Sequence, residues 1–285
     1  MGMEPDCVEE VPINLPDLHI HTPFCGHATG TMEQTVQRAI DLGLSEIGFS
    51  GHLFYPHGFI EPVKNCVIPE GQFPIFVSEV LRLQQIYGDR ITIYLGAEAD
   101  YLNDFLSSTK TICRAFPFDY VIGSVHILDG IAIDYSEDML NQHLEKFGCA
   151  EGLWRKYWDS IEDLINADLC NIIGHFDLPK KYKTSLSTAD FTDRIDYLLT
   201  LIKDKGLVIE VNTSGIDRSF TRETYPSPAI LKLAAKKNVE ITLGSDAHSP
   251  AEVGRHFQKT VELLKSLGWK RLTIFEKGRK KYKSL

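Results

Sequence analysis

One repeated unit constrains the fold of this chain more than any other feature. A short run rich in Ile, Val, Leu or Tyr, bounded by Gly, Asp or Ser, recurs along it and is mostly followed by a helical pattern. The runs are PDLHI (16–20), SEIGFSGH (45–52), ITIYLGAE (91–98), DYVIGSVH (119–126), NIIGHF (171–176), LVIEVN (207–212) and EITLGSDAH (240–248). Such runs read as strands. An eighth, RLTIF (271–275), is weaker. Between them, TMEQTVQRAIDLG (31–43) has helical spacing, with Thr31 as N-cap and Gly43 as stop. STADFTDRIDYLLTLIKDKG (187–206) starts at Ser187 or Thr188 and ends at Gly206. SPAILKLAAKKN (227–238) and SPAEVGRHFQKTVELLKSLG (249–268) both open on Ser-Pro, which suits an N-cap followed by N1. The insert 134–168 reads as one or two helices, in which Trp154 and Trp158, at i, i+4, pack a helix face. The segment 53–74 holds four prolines and no clear period, so it reads as a loop, in the position of a lid. Strands alternating with helices imply a mostly parallel α/β sheet. Seven or eight units point to a closed barrel, with an open doubly wound sheet as the alternative.

A chain of 285 residues fits one α/β barrel, so we expect a single domain over 1–285, with 1–15 and 277–285 as peripheral tails. The net charge of −9 and pI near 5.6 disfavour non-specific binding to nucleic acid or an anionic membrane. No apolar run approaches the roughly 18 residues of a membrane span, and the acidic N-terminus carries no apolar core of the kind a signal peptide needs. The six cysteines (7, 25, 66, 113, 149 and 170) are scattered and form no CxxC pair. A disulfide framework or thiolate zinc site is therefore not expected, and a reduced, cytoplasmic setting is.

In a parallel barrel, functional residues gather at the C-terminal ends of the strands. His19 and His21 end the first run, His52 the second, Glu98 the third, His126 the fourth, and His175 the fifth. Asp246 and His248 end the seventh. Spacing i, i+2 turns both members of a pair to one face of a strand. The sixth run ends on Glu210, Val211 and Asn212. One histidine at a strand end is an ordinary polar residue. A barrel mouth carrying six histidines, one Glu and one Asp is a metal cluster, because such groups cost several kcal/mol each to bury unpaired. His27 returns to this mouth from the loop after the first strand, which Gly26 and Gly30 allow to turn sharply. Imidazole and carboxylate suit zinc, iron or manganese.

HIH, GHLFYP, GAEADY, GSVH, GHFDLPKKY, EVNTSG and GSDAHSP, in this order, resemble the PHP (polymerase and histidinol phosphatase) superfamily. The GHFDL, EVNTSG and SDAH neighbourhoods resemble its histidinol-phosphatase branch, and the resemblance spans residues 17–258. It implies a distorted (β/α)7 TIM-like barrel with two or three divalent metals at the C-terminal face of the strands. His19 and His21 would hold one metal with Glu98 and Asp246; Glu98 would bridge to a second, held also by His126 and His175; and His27, His52 and His248 would hold a third. His57, His143 and His256 match no ligand motif.

Metals a few ångströms apart suit phosphoryl transfer. The expected reaction is in-line attack by a metal-held hydroxide on a small phosphate monoester. The resemblance implies L-histidinol phosphate as substrate, hence a place in histidine biosynthesis. Glu98, Asp246 and His248 are the catalytic candidates, and Asp246, His248 or a metal-bound water could give the leaving alcohol its proton, a choice the sequence leaves open. Asp17 and Asp177 are candidates for orienting the imidazoles. Lys180, Arg218 and Arg255 are candidates for holding phosphate oxygens, with Lys181 competing with Lys180 and a plain surface role competing for Arg255. Glu61, Glu70 and Asp217 are loop candidates for meeting the substrate amine. Two rivals remain. A PHP nuclease or exonuclease would need a basic track, and only KKYK (180–183) and KGRKKYK (277–283) are available, the second reading as a solvated helix end. A metal-binding structural protein would need closed coordination.

Overall fold

The computed structural model describes residues 14–183 and 188–285. Its strands are β1 (Pro16–Ile20), β2 (Glu46–Phe49), β3 (Thr92–Asp100), β4 (Tyr120–Ser124), β5 (Ile127–Leu128), β6 (Ile131–Ala132), β7 (Ile172–Ile173), β8 (Val208–Asn212), β9 (Glu240–Gly244), β10 (Arg271–Glu276) and β11 (Arg279–Ser284). Seven of them form one sheet in the order β1-β2-β3-β4-β7-β8-β9, and every pairing within it is parallel. The sheet closes where Ile20 bridges Ala247 just past β9, with the His21 amide donating to the Ala247 carbonyl at 2.9 Å. The barrel is therefore the (β/α)7 form and not the open sheet. All seven barrel strands coincide with runs picked out from the sequence.

Helix α1 (Met32–Asp41) begins at Thr31, whose side chain and that of Gln34 cap each other's backbone, and Gly43 follows it at φ +73°. The expected loop 53–74 ends early, in a 3₁₀ turn at Glu70–Gln72 that leads into helix α2 (Phe73–Tyr87); the rest of α2, and α3 (Leu106–Ala115), lie in stretches to which the sequence reading assigns no element. The insert forms two helices, α4 (Glu137–His143) and α5 (Ala150–Asn166). On α5 the rings of Trp154 and Trp158 stack with centroids 5.5 Å apart, fully buried against Phe191 and Phe176, as a packed helix face requires. Helix α6 (Thr192–Asp204) follows a single 3₁₀ turn; the alternative start at Ser187 falls outside the described residues. After the short α7 (Gly215–Arg218), helix α8 (Pro228–Lys237) takes its cap from Ser227, with Pro228 at N1.

Two further expectations need correction. The helix expected over 249–268 is a 3₁₀ turn at Pro250–Glu252 followed by α9 (Phe257–Ser266). Val253 is extended and Gly254 has φ +66°, so the chain leaves helical geometry between them. The C-terminal residues 277–285 are not a solvated helix end. They turn at Lys277–Gly278 and form β11, antiparallel to β10. Most of the N-terminal tail, 1–13, lies outside the described residues. The five described cysteines are free, and no described helix is long and apolar enough to cross a membrane.

The hairpin closes the end of the barrel where the strands begin. Ile274 and Phe275 of β10 are buried against Leu18, Tyr94, Tyr120, Ile122, Ile172 and Val208, which line the interior. Tyr120 crosses that interior to donate its hydroxyl to the Leu18 carbonyl at 2.5 Å. Gly48 and Gly96 make this crossing possible, because a Cβ would fall 1.8 Å and 2.5 Å from the Tyr120 phenol. Outside, Lys283 pairs with Glu46 at 3.2 Å, Lys280 pairs with Glu240, and the Lys277 amide donates to Asp119 at 2.9 Å. These acids sit at or just before the starts of β2, β9 and β4. With this end filled, function is confined to the opposite end. If the hairpin seals the barrel, Phe275→Ala should cost about 3–5 kcal/mol in urea unfolding, whereas the exposed Lys281→Ala should stay within about 0.5 kcal/mol. A Phe275→Ala loss below about 1 kcal/mol would show that the barrel does not need this plug.

Candidate metal centre

The strand pattern of β1 carries His19 and His21 to the same face, so both imidazoles turn into the barrel mouth with ring centroids 5.0 Å apart. The following loop turns at Gly26, φ +81°, where a Cβ would meet the Asn65 carbonyl oxygen at 2.8 Å. That turn brings His27 back to within 5.8 Å of His21 and 4.8 Å of His248, centroid to centroid. His52 bridges to Glu98 in strand geometry just beyond β2.

Glu98, on β3, is 1% exposed and lies at the centre. Its Oε2 is 3.2 Å from His19 Nε2, 3.2 Å from His52 Nδ1 and 3.5 Å from His21 Nε2. Its Oε1 is 3.0 Å from His175 Nε2 and 3.5 Å from His126 Nε2, and accepts from Ser124 Oγ at 2.7 Å. Asp246 enters from past β9 in left-handed backbone, φ +52°. Its Oδ1 is 3.3 Å from His21 Nε2, while Oδ2 accepts from Ser214 Oγ at 3.0 Å and Asn212 Nδ2 at 3.3 Å. The His248 ring stacks on His21 at 4.2 Å.

All nine residues singled out from the sequence thus share one site, although the grouping implied by the resemblance is not reproduced in full. Donor atoms of His19, His21 and Glu98 gather within 4.8 Å, as do those of His52, Glu98 and His126, and those of His21, His27 and His248. His52 stands between two sets, since its ring is 5.5 Å from His27 and its nitrogen touches Glu98.

The donor set fits metal ions. His126 Nε2 and His175 Nε2 face each other at 2.9 Å, and His19 Nε2 and His21 Nε2 at 3.1 Å. Each such pair turns ring nitrogens toward the same carboxylate. Protons alone would satisfy few of these contacts, whereas cations at the convergence points would satisfy all of them. Burial pushes the Glu98 carboxyl up, but His52, His19 and His126 outweigh it and hold the group well below the usual carboxylate range. Burial, with His248 and His52 beside it, pushes His21 well down, and burial likewise lowers His52 and His248 to about 4. These directions keep the carboxylate ionised and favour neutral His21, His52 and His248, the forms that bind metal. At His19 and His126 burial is instead outweighed by Glu210 and Asp100, which push His19 well up and His126 up to about 10, so a bound metal would have to displace their protons.

The carboxylates that orient imidazoles are not those expected. Asp17 binds the backbone amides of Ser245 and Gly254, at 2.9 and 3.0 Å, and reaches no imidazole. Asp177 pairs with Lys180 and accepts from the Ser227 amide. Glu210 takes the first role, with Oε1 2.5 Å from His19 Nδ1 and Oε2 accepting from the His175 amide at 2.8 Å. Asp100 takes the second, 2.8 Å from His126 Nδ1, and also accepts from the Tyr55 hydroxyl at 3.1 Å. The sequence does carry a signal for both: Glu210 ends the one strand that lacks a ligand, and Asp100 stands two residues past Glu98 on the same strand face.

Above the cluster lies a cavity of about 380 Å³. Its walls come from the loop 53–69 (Tyr55, Pro62, Val63, Cys66), from the β5–β6 region (Ile127, Ala132, Asp134, Tyr135), and from Leu178, Lys181, Ser214, Arg218 and Tyr225. The three expected phosphate-binding residues separate. Arg218 lines the cavity, with Nη1 3.1 Å from His248 Nδ1. Lys180 is 5% exposed and turns away, donating to the Thr224 carbonyl at 2.6 Å and pairing with Asp177 at 2.9 Å; its neighbour Lys181 faces the cavity instead. Arg255 is neither on a helix nor in the cavity wall. It donates to the carbonyls of Ser245 and Asp246, at 3.0 and 2.9 Å, and so braces the turn that presents Asp246. His57, His143 and His256 lie outside the site, as expected: His57 is 96% exposed, His143 bonds the Met139 carbonyl of its own helix, and His256 meets Asp217.

The PHP domain family matches residues 17–214. A probable histidinol-phosphatase of Deinococcus radiodurans is 34% identical over 258 residues, covering 90% of this chain and 95% of its own. The histidinol-phosphatase of Bacillus subtilis is 28% identical, covering 86% and 98%. Among solved structures, the histidinol phosphate phosphatase of Lactococcus lactis, crystallised with zinc, L-histidinol and phosphate, superposes with a TM-score of 0.80 at 26% identity, covering 95% of this chain and all of its own. Residues, fold and relatives agree, and the chain belongs to the PHP domain family.

Proposed function

We propose that the protein is a metal-dependent histidinol-phosphatase, a phosphoric monoester hydrolase. One observation carries this reading: a small cavity has a histidine–carboxylate cluster as its floor and Arg218 and Lys181 in its wall. Its relatives with that name match almost end to end, and the Lactococcus lactis enzyme was crystallised with both products of the reaction.

We assign His19, His21, His27, His52, Glu98, His126, His175, Asp246 and His248 to two or three divalent ions, zinc, iron or manganese. Bound metals supply positive charge for phosphate oxygens and lower the pKa of water. The chain supplies the rest. Glu98 joins the histidine sets, so that both halves of the site share one anionic centre. Arg218 presents a guanidinium to the cavity beside His248, held there by Glu252 at 2.9 Å from Nη2, and its remaining N–H groups can donate to a phosphate oxygen. Lys181 adds a second cation from the other wall. Asp246 and His248 border the cavity, and we assign to one of them the transfer of a proton, taken from the attacking water, to the leaving alcohol.

The nuclease alternative fares worse. The basic run KGRKKYK lies in the C-terminal hairpin, where Lys283 and Lys280 pair with acids at or beside strand starts, at the end of the barrel remote from the cavity. It offers no track leading a polymer to the cluster.

Three tests follow from this assignment. Chelation should abolish monoester hydrolysis and lower the melting temperature, since metal bound only to the folded chain stabilises it by mass action; full activity in protein shown to be metal-free would end the metal assignment. Glu98→Gln should lose metal and activity together, because an amide brings no charge to two histidine sets, while His143→Gln should lose neither. Equal metal content in those two variants would overturn the role given to Glu98. In a panel of phosphomonoesters, histidinol phosphate should exceed nucleotides and sugar phosphates in kcat/KM by at least about tenfold, or about 1.4 kcal/mol in the transition state. A flat profile would keep the chemistry and remove the substrate.

A further inference from the structure

The cavity wall carries one carboxylate that the cluster does not use. Of the four acids lining it, Glu98 and Asp246 touch the histidines of the floor, and Asp100 is held by His126 and Tyr55. The fourth, Asp134, stands just past β6. Its backbone is pinned, because the Tyr182 hydroxyl donates to its carbonyl at 2.7 Å. Its side chain is half-buried, and Lys181 Nζ lies 3.2 Å from Oδ2. Burial pushes the carboxyl up, but Lys181, His126 and His175 hold it down at about 2, so it is an anion at any working pH. The three acids considered from the sequence as partners for an amine do not line the cavity: Glu61 lies near Lys64, Glu70 meets the exposed His57, and Asp217 meets His256.

We propose that Asp134 is the specificity determinant for a cationic amine on the substrate, which takes over the carboxylate from Lys181 and releases that lysine toward the phosphoryl group. The inference rests on the functional reading above and deepens it. A phosphate monoester bearing an ammonium group carries both charges needed for the exchange: the ammonium replaces Lys181 at Asp134, and the phosphate replaces Asp134 at Lys181. Neither wall charge is left without a partner in either state, which matters in a half-buried site, where an unpaired charge is costly. A monoester of a neutral alcohol can attract Lys181 only by leaving Asp134 unpaired. The apolar surface around the pair, from Val63, Ile127, Ala132 and Leu178, leaves room for the remainder of a small organic substrate.

The test compares histidinol phosphate with the analogue that lacks the amine, in wild-type protein and in Asp134→Asn, both metal-loaded. The ratio of kcat/KM for the two substrates should fall at least about tenfold in the variant, the scale of one charge-assisted hydrogen bond. L-Histidinol, which keeps the amine and lacks the phosphate, should bind at least about tenfold more weakly to Asp134→Asn by calorimetry. Asp134→Glu, which restores the charge, should recover part of the ratio, and serves also if the amide variant does not fold. If wild type prefers histidinol phosphate to sugar phosphates and the amine ratio survives in Asp134→Asn, the assignment of Asp134 is wrong while the function stands. If wild type shows no preference for histidinol phosphate, both fall.

Discussion

The structure depends on one buried carboxylate. Glu98 is in contact with imidazoles of His19, His21, His52, His126 and His175, and these come from the ends of β1, β2, β4 and β7. Charge at 1% exposure is tolerable only when it is compensated. The compensation here comes from around most of the barrel, so the strand ends must converge for Glu98 to be buried at all. Ser124 adds a hydroxyl donor of its own. A carboxylate that five imidazoles surround is suited to join metal sites, and its energetic need for them links folding of the mouth to its occupancy.

The two ends of the barrel solve opposite problems. Where the strands begin, the interior is apolar, filled by Tyr120 and plugged by Ile274 and Phe275. Where they end, the interior is polar, and each group is held by another. His19 rests on Glu210, His126 on Asp100, and Asp100 on Tyr55. Since Tyr55 belongs to the loop over the cavity, that loop is tied to a histidine of the floor through a single carboxylate. The rigid, sealed end lets the other end carry strained and charged groups, because cooperative packing below keeps the strand ends in register.

Much of this is legible in the sequence because strand ends are marked twice, by the close of an aliphatic run and by the residue that follows. Those two marks alone place His19, His21, His52, His126 and His175 at the mouth. What escapes them has physical reasons. Asp100 and Glu210 look like ordinary strand-end acids until the neighbouring ring positions are known. In the 3₁₀ turn that carries Lys180 and Lys181, successive side chains point about 120° apart, so only one can face the cavity, and composition cannot say which. The hairpin defeats a local reading because its outer strand, RKKYKS, and the turn before it answer to acids from three distant strand starts and not to any nearby pattern. Helices α2 and α3 pack by tertiary burial of Phe73, Phe76, Val80, Leu83 and Thr109, and the loop before α2 obscures where its periodicity begins.

The displaced start of α9 shows how a functional site can override local propensity. Ser249-Pro250 is a sound helix opening, yet the chain abandons the helix after one turn. The reason lies in the preceding turn. Asp246 sits in left-handed backbone, which a residue with a Cβ adopts only when its surroundings hold it there. Those surroundings are supplied by residues 252–255: Glu252 accepts from the His248 amide, Gly254 donates to Asp17, and Arg255 binds the carbonyls of Ser245 and Asp246. Asp17 in turn accepts from the Ser245 amide, so that β1, the turn and the segment before α9 are linked through one buried acid. A continuous helix from 250 would carry Gly254 and Arg255 away from these partners. The broken helix is the condition under which Asp246 can face His21, and Arg255, though no part of the cavity, is what keeps that condition satisfied.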